Sequence, residues 1–381
     1  MTGLSLAVYE RKLAGLDRKG RSRSLVAISG ADFTSNDYLG LANSVRLAQA
    51  LRDAMDRGVP VGAGGSRLLR GNHPEHEALE QEAAAYFGAA RALYFGSGYA
   101  ANVALFSTLP QRDDIIVHDE LIHASAHEGI SKSRAASVAT AHNDVDAVAD
   151  AISRWRRAGG TGRAWIAVES LYSMDGDRAP LRELMELAMQ HDGFLVIDEA
   201  HATGVFGRGG RGLSEALGHP ENCITLHTCG KALGASGALI LGPAIICDFL
   251  INRARNFIYS TAPSPLMAAT VREALRILDD EPERRDKLAG LVSFAGRRME
   301  AAIGMDASKS QILPVLIGDN RRAVQIAERL RGEGFDVRPI RPPTVPEGTA
   351  RLRISITLNV DEATVSRLFE HLAVIWREER Q

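Results

Sequence analysis

Between residues 40 and 275, short apolar runs alternate with stretches of helical period, and this alternation restricts the fold more than any other feature of the chain. The candidate strands are Ala92–Phe95, Ile115–His118, Trp165–Glu169, Leu195–Asp198, Ile224–Thr228 and Ala238–Leu241. Helical segments at Glu75–Phe87, Ala100–Leu109, Val145–Arg157 and Leu181–His191 lie among them. Strands joined through helices argue for a mostly parallel sheet with both faces covered. In such α/β sheets ligands bind beyond the carboxyl ends of the strands. The polar residues that punctuate the apolar runs fall there: Gly96-Ser97-Gly98, Glu169-Ser170, Asp198 and Thr228.

Beyond about residue 275 the texture changes to long helices (Thr270–Asp279, Arg284–Gly304, Arg321–Gly332) and short strands (Ile312–Ile317, Val337–Ile340, Arg351–Ile356), closed by a helix over Asp361–Glu378. A chain of 381 residues exceeds what one core usually serves. The expected division is an N-terminal segment 1–39, a large domain 40–275 and a smaller α+β domain 276–381.

A formal net charge of −2 gives no electrostatic reason to expect nucleic acid or an anionic membrane as a partner. The basic run Arg154-Trp155-Arg156-Arg157 reads as a solvated helix face. Cys223, Cys229 and Cys247 are odd in number and lack metal-ligand spacing, so reduced thiols and no metal site are expected. The apolar patch Leu4–Val8 is too short for a signal-peptide core, and Ala238–Ile251 is broken by Gly242, Pro243 and Asp248. The expected location is the cytoplasm. The cluster Gly62–Gly71 lacks the ending of a nucleotide-binding P-loop, and Gly207–Gly212 reads as a flexible active-site loop.

Lys231, in Thr228-Cys229-Gly230-Lys231-Ala232, has small neighbours that let an amine reach an aldehyde. About thirty residues earlier Asp198 ends the apolar run Phe194–Ile197, where a carboxylate can keep a pyridine nitrogen protonated. Lysine and carboxylate together describe a pyridoxal-phosphate (PLP) site, in which the cofactor is the electron sink. Gly98 and Tyr99 open a helix whose free N–H groups favour a dianion, and Thr228 adds a hydroxyl on the same wall. His123 offers a flat ring for stacking, and His201 follows Asp198 closely. Asp198 or Glu199 could instead cap the next element.

These stretches resemble the α-oxoamine synthase family of fold-type I PLP enzymes over nearly the whole chain. The matching runs are Ser35–Leu41, Gly64–Arg67, Ser97–Asn102, His123–Ser125, Ser173–Asp177, Asp198–His201, Thr228–Lys231 and Tyr259–Thr261. The resemblance implies an aspartate-aminotransferase-like transferase fold and a homodimer. It implies that Lys231 bonds to the cofactor, Asp198 pairs with its ring nitrogen, His123 stacks on the ring, and His201 with Ser173 holds the ring hydroxyl. Gly98, Tyr99 and Thr228 would hold the phosphate, with Ser260 or Thr261 reaching that of the neighbouring subunit. Arg353 would bind the substrate carboxylate, with Asn36 assisting and Arg341 as a second cation.

The run Ile340–Arg353 and the segment Gly234–Ala238 point, within the family, to a decarboxylative Claisen condensation of L-alanine with a pimeloyl thioester, carried on coenzyme A or an acyl carrier protein. A family member condensing glycine with acetyl-CoA is the alternative. A non-catalytic scaffold of this fold is the alternative from another class, and it would be expected to lack Lys231.

Overall fold

The computed structural model describes residues 6–379, so Leu4 and Ser5 of the short apolar patch lie outside the described residues. Seven strands form the main sheet: β1 (Arg91–Phe95), β2 (Ile115–Asp119), β3 (Ala136–Thr140), β4 (Ala164–Glu169), β5 (Phe194–Asp198), β6 (Cys223–Thr228) and β7 (Ala238–Gly242). Their spatial order is β1-β7-β6-β5-β4-β2-β3. Only β7 runs against its neighbours; the other pairs are parallel. The fold is therefore α/β with a mostly parallel sheet, as the alternation of runs predicts.

Both sheet faces are buried, which is why the strands read as unbroken apolar runs. Ile116, Trp165, Val196, Ile224 and Ile240 pack into one layer, while Val117, Ile166, Leu195 and Ile197 pack into the other. Each fully buried aliphatic side chain of this kind contributes roughly 1.5–3 kcal/mol. Strand β3 escapes the sequence reading because it is an edge strand with a mostly exposed Ala-Ser-Val-Ala-Thr run and no apolar signature. The predicted helix Thr270–Asp279 begins earlier, at Pro265, where a proline suits the first turn.

The chain divides into two compact units. The larger comprises Asn36–Ser173 and Asp177–Asp286 and holds the main sheet. The smaller comprises the described residues through Ser35, Met174–Gly176 and those from Lys287 onward. In it, Arg338–Ile340, Ala350–Ser355 and Ile312–Gly318 form an antiparallel sheet in that order. Ala31–Asp32 pairs in parallel with Phe335–Asp336.

No helix among the described residues is long and apolar enough to cross a membrane. The apolar stretch Ala238–Ile251 is split between β7 and the helix Ala244–Arg253. All three cysteines are buried thiols, and burial pushes Cys223 and Cys247 up to about 12.

Candidate active site

The parallel strands end on a row of polar residues. Asp119 closes β2, Glu169 closes β4, Asp198 closes β5 and Thr228 closes β6, with Glu169 and Asp198 directly in register. Beyond that edge lies a cavity of about 360 Å³, lined by Gly98, Tyr99, Asn102, His123, Glu169, Asp198, His201, Thr228 and Lys231 among others. Seven of the sequence-predicted site residues thus meet on one wall system, although they span 134 positions of the chain from 98 to 231.

Asp198 is held by two donors. The Asn102 side-chain amide donates to Oδ2 at 2.7 Å and the Ala200 backbone N–H to Oδ1 at 2.9 Å. Its neighbour Glu199 points elsewhere. Fully buried, Glu199 accepts from Ser170 Oγ at 2.6 Å and from the N–H groups of Leu213 and Ser214 at 3.1 and 2.6 Å. The two adjacent acids therefore have separate tasks: Asp198 faces the cavity and Glu199 ties down a loop.

That loop corrects a sequence expectation. Gly207–Gly212 is no flexible active-site loop: it is closed by Gly204 N–H to Gly210 O at 2.7 Å and Gly212 N–H to Phe206 O at 2.8 Å, and it does not line the cavity. Gly212 has φ +96°, and a Cβ there would lie 2.7 Å from the Glu199 carboxyl, so the glycines serve close packing against a buried acid.

His123 caps the helix Ala124–Ser131. Its Nδ1 accepts from the Ser125 backbone N–H at 3.2 Å and lies 2.7 Å from Ser125 Oγ, which leaves the proton of the neutral ring on Nε2. Desolvation in the cavity lowers its pKa, with Asp198 opposing and the Lys231 charge adding. The neutral ring therefore presents a face rather than a charge. Lys231 Nζ lies 2.8 Å from His201 Nε2, and His201 Nδ1 lies 2.7 Å from the Tyr38 hydroxyl. Tyr38 in turn donates to Asn36 Oδ1 at 3.0 Å.

Glu169 is, like Asn102, a cavity residue to which sequence reasoning gave no role. Burial, aided by the charge of Asp198, pushes its pKa up to about 8. Oε2 accepts the Ser173 backbone N–H at 3.1 Å, while Oε1 is buried without a hydrogen-bond partner. A neutral carboxyl here can donate to a ligand atom. Its only sequence signal is an acid ending an apolar run, the same signal that marks Asp198.

Ser173 itself is buried but is not part of the cavity wall; it sits on the turn between Leu171 and Arg178. That turn is anchored by Asp177, which with Asp119 brackets His142 at 2.7 and 3.0 Å. Burial alone would lower the His142 pKa, but the two carboxylates outweigh it and push it up to about 10. Ser260 and Thr261 are exposed and outside the cavity. Asn36 is half-buried in the larger unit. Arg341 and Arg353 belong to the smaller unit. Arg353 is buried and donates to Ser355 Oγ at 2.9 Å, whereas Arg341 donates to the backbone carbonyls of Gly20 and Ser22.

Comparison with known proteins follows the geometry. Residues 29–372 match the family described as aminotransferase class I and II. The chain is 42% identical to an 8-amino-7-oxononanoate synthase of Anaeromyxobacter dehalogenans, covering 96% of this chain and 94% of that protein. It is 40% identical to one of Chromobacterium violaceum, covering 89% and 87%. Among solved structures, a serine palmitoyltransferase from S. paucimobilis superposes with a TM-score of 0.89 at 25% identity, over 98% of this chain and 99% of that one. An 8-amino-7-oxononanoate synthase from Francisella tularensis superposes with a TM-score of 0.76 at 27% identity, over 93% and 99%.

Proposed function

The chain belongs to the class I and II aminotransferase family, and from that premise we propose that it is a PLP-dependent 8-amino-7-oxononanoate synthase. It condenses L-alanine with a pimeloyl thioester, on coenzyme A or an acyl carrier protein, to give 8-amino-7-oxononanoate, CO₂ and the free thiol carrier, a step of biotin synthesis. The observation that carries this reading is the joining of Lys231, Asp198 and the start of the helix Gly98–Thr108 in one cavity, together with relatives of that name at about 40% identity.

The cavity suits the cofactor at both ends. At one end, a Cβ on Gly98 would lie 2.6 Å from Thr228 Cγ2, so the backbone stays bare. The N–H groups of Gly98 and Tyr99 at the start of the helix Gly98–Thr108 and the Thr228 hydroxyl then form a cradle for a phosphate dianion, while the Ala100 N–H is capped by Ser97 Oγ. At the other end Asp198 supplies the anion that a pyridinium nitrogen needs, and Lys231 supplies the amine.

When bound, PLP supplies an aldehyde for an amine and a ring that takes up the electron pair left at the substrate α-carbon. The chain does the rest. Asp198 keeps the ring nitrogen protonated, and His123 covers a ring face. Gly98, Tyr99 and Thr228 hold the phosphate, and His201 serves the ring hydroxyl, the expected partner Ser173 lying off the cavity wall. Lys231, once free, removes the α-proton of alanine and later returns a proton to the product. Arg353 holds the alanine carboxylate, with Asn36 assisting and Arg341 as a second cation. In this reading the protein acts as a cytoplasmic homodimer, in which Ser260 and Thr261 extend to the neighbour's phosphate.

Incubating the purified protein with L-alanine and pimeloyl-CoA, and weighing the product by mass spectrometry, tests the assignment. Alanine and glycine differ by one methyl, which separates substrates by only ~1–3 kcal/mol, so the acyl chain is the stronger discriminator. In competition at equal concentration, pimeloyl-CoA should be used at least about tenfold more efficiently than acetyl-CoA. Preferential formation of 2-amino-3-ketobutyrate from glycine would transfer the chain to the alternative activity.

Arg353→Ala should raise the KM for L-alanine by about ten- to a hundredfold, the loss of a charge-assisted contact of roughly 1.5–3 kcal/mol. The KM for the thioester should barely move. A change confined to the thioester would reassign the carboxylate clamp, with Arg341 next in line.

A further inference from the structure

The hydrogen bonds around Lys231 continue past the groups that the reaction requires. Lys231 Nζ meets His201 Nε2 at 2.8 Å, His201 Nδ1 meets the Tyr38 hydroxyl at 2.7 Å, and that hydroxyl also meets Asn36 Oδ1 at 3.0 Å. Tyr38 is fully buried and His201 almost so. The turn that carries Tyr38 is fixed from both sides. Asp37 Oδ1 accepts the N–H groups of Leu41 and Ala42 at 2.8 and 3.1 Å, and Arg284 donates to the Leu39 carbonyl at 3.2 Å.

A phenol has one proton, and Asn36 Oδ1, which can only accept, takes it. The phenol oxygen therefore accepts from His201 Nδ1–H. His201 Nε2 is then a bare acceptor that can take a proton from the Lys231 ammonium. That transfer leaves a neutral amine able to act as a base, and an imidazolium whose Nδ1–H rests on the Tyr38 oxygen. The Tyr38 hydroxyl, held by Asn36, therefore favours the tautomer with the hydrogen on Nδ1 and a lone pair on Nε2.

We propose that Tyr38 is a positioning residue that sets which nitrogen of His201 carries the proton, and so what His201 presents to the ring hydroxyl while Lys231 is bonded to the cofactor and to the Lys231 amine once it is free. The proposal rests on the cofactor reading above. Asp198, Glu169 and His123 face the same cavity and contribute to its field.

The test is a pH titration of the visible absorbance of the lysine-bound cofactor in the resting holoenzyme, a readout that does not depend on turnover. Tyr38→Phe keeps the ring and removes only the hydroxyl. This variant should retain its cofactor, and the pH at which the absorbance changes should move by about one unit or more. Its kcat should fall by about ten- to a hundredfold, with the thioester KM unchanged. In a His201→Asn background the same substitution should produce no further shift. An unchanged titration, or a shift that persists without His201, overturns the proposal.

Asn36→Asp gives a second route that leaves the phenol in place. The added charge holds the hydroxyl proton more firmly and makes the phenol oxygen a stronger acceptor from His201 Nδ1–H, and the resulting shift should vanish when His201→Asn is added. A shift that survives is a direct charge effect and also overturns the relay. Absence of the lysine-bound absorbance from the unsubstituted protein overturns the cofactor reading and this one together.

Discussion

Lys231→Ala should abolish turnover and with it the visible absorbance of lysine-bound cofactor. The cavity supplies no substitute: Lys231 is the only lysine among the residues lining it. Lys132, by contrast, pairs with Glu128 on an exposed helix end. Nucleophilic catalysis of this kind fails when the bonding amine is removed, because the reacting pair can no longer be held together. Borohydride reduction of the holoenzyme followed by peptide mapping should place the tag on Lys231. A tag on Lys132 or Lys287 would end the assignment.

Asp198→Asn should keep the cofactor bound and still lose on the order of a hundred- to a thousandfold in kcat, the usual cost of removing a preorganised electrostatic partner from a reacting centre. The variant has the same shape, and the Gly98–Thr228 cradle is untouched. What disappears is the negative charge that favours a protonated ring nitrogen. Glu199→Gln is the informative control, because Glu199 is committed to Ser170, Leu213 and Ser214. That change should disturb the Gly207–Gly212 loop and stability more than the chemistry. Near-native turnover in Asp198→Asn, measured beside cofactor content, would remove Asp198 from its role.

The contrast between those two acids shows where sequence reasoning stops. Both follow the apolar run Phe194–Ile197, and nothing local distinguishes them; the strand register and the distant Leu213–Ser214 backbone do. The strands themselves are legible because burial on both faces leaves long apolar runs, and the place of Lys231 on the cavity wall agrees with the accessible amine that its small neighbours suggest. Strand β3 is not legible, since an edge strand needs no apolar code. Tyr38 lies within the run Ser35–Leu41 yet carries no role in the sequence, because its partner His201 lies 163 positions away. Glu169 lacked one for a related reason: its burial against Asp198 arises only when β4 and β5 lie side by side.

The reversed direction of β7 has a consequence for the speed of the enzyme. A parallel neighbour to β6 would need a long crossover, usually a helix. Because β7 runs backwards, the chain returns within Cys229–Gly237, and that short span is knotted to itself. Cys229 N–H donates to Gly237 O, Ala235 N–H to Cys229 O and Gly234 N–H to Lys231 O, each at 2.9 Å. The backbone of Lys231 is thus moored at both ends to the sheet that carries Asp198. In the proposed role, each departure and return of the amine would be a swing of four methylenes about a stationary pivot. Side-chain rotations are faster than the microsecond-to-millisecond motions of lids and domains. The lysine's own travel would then not limit turnover, and the clock of the cycle would be set by chemistry or by the arrival and release of the acyl chain.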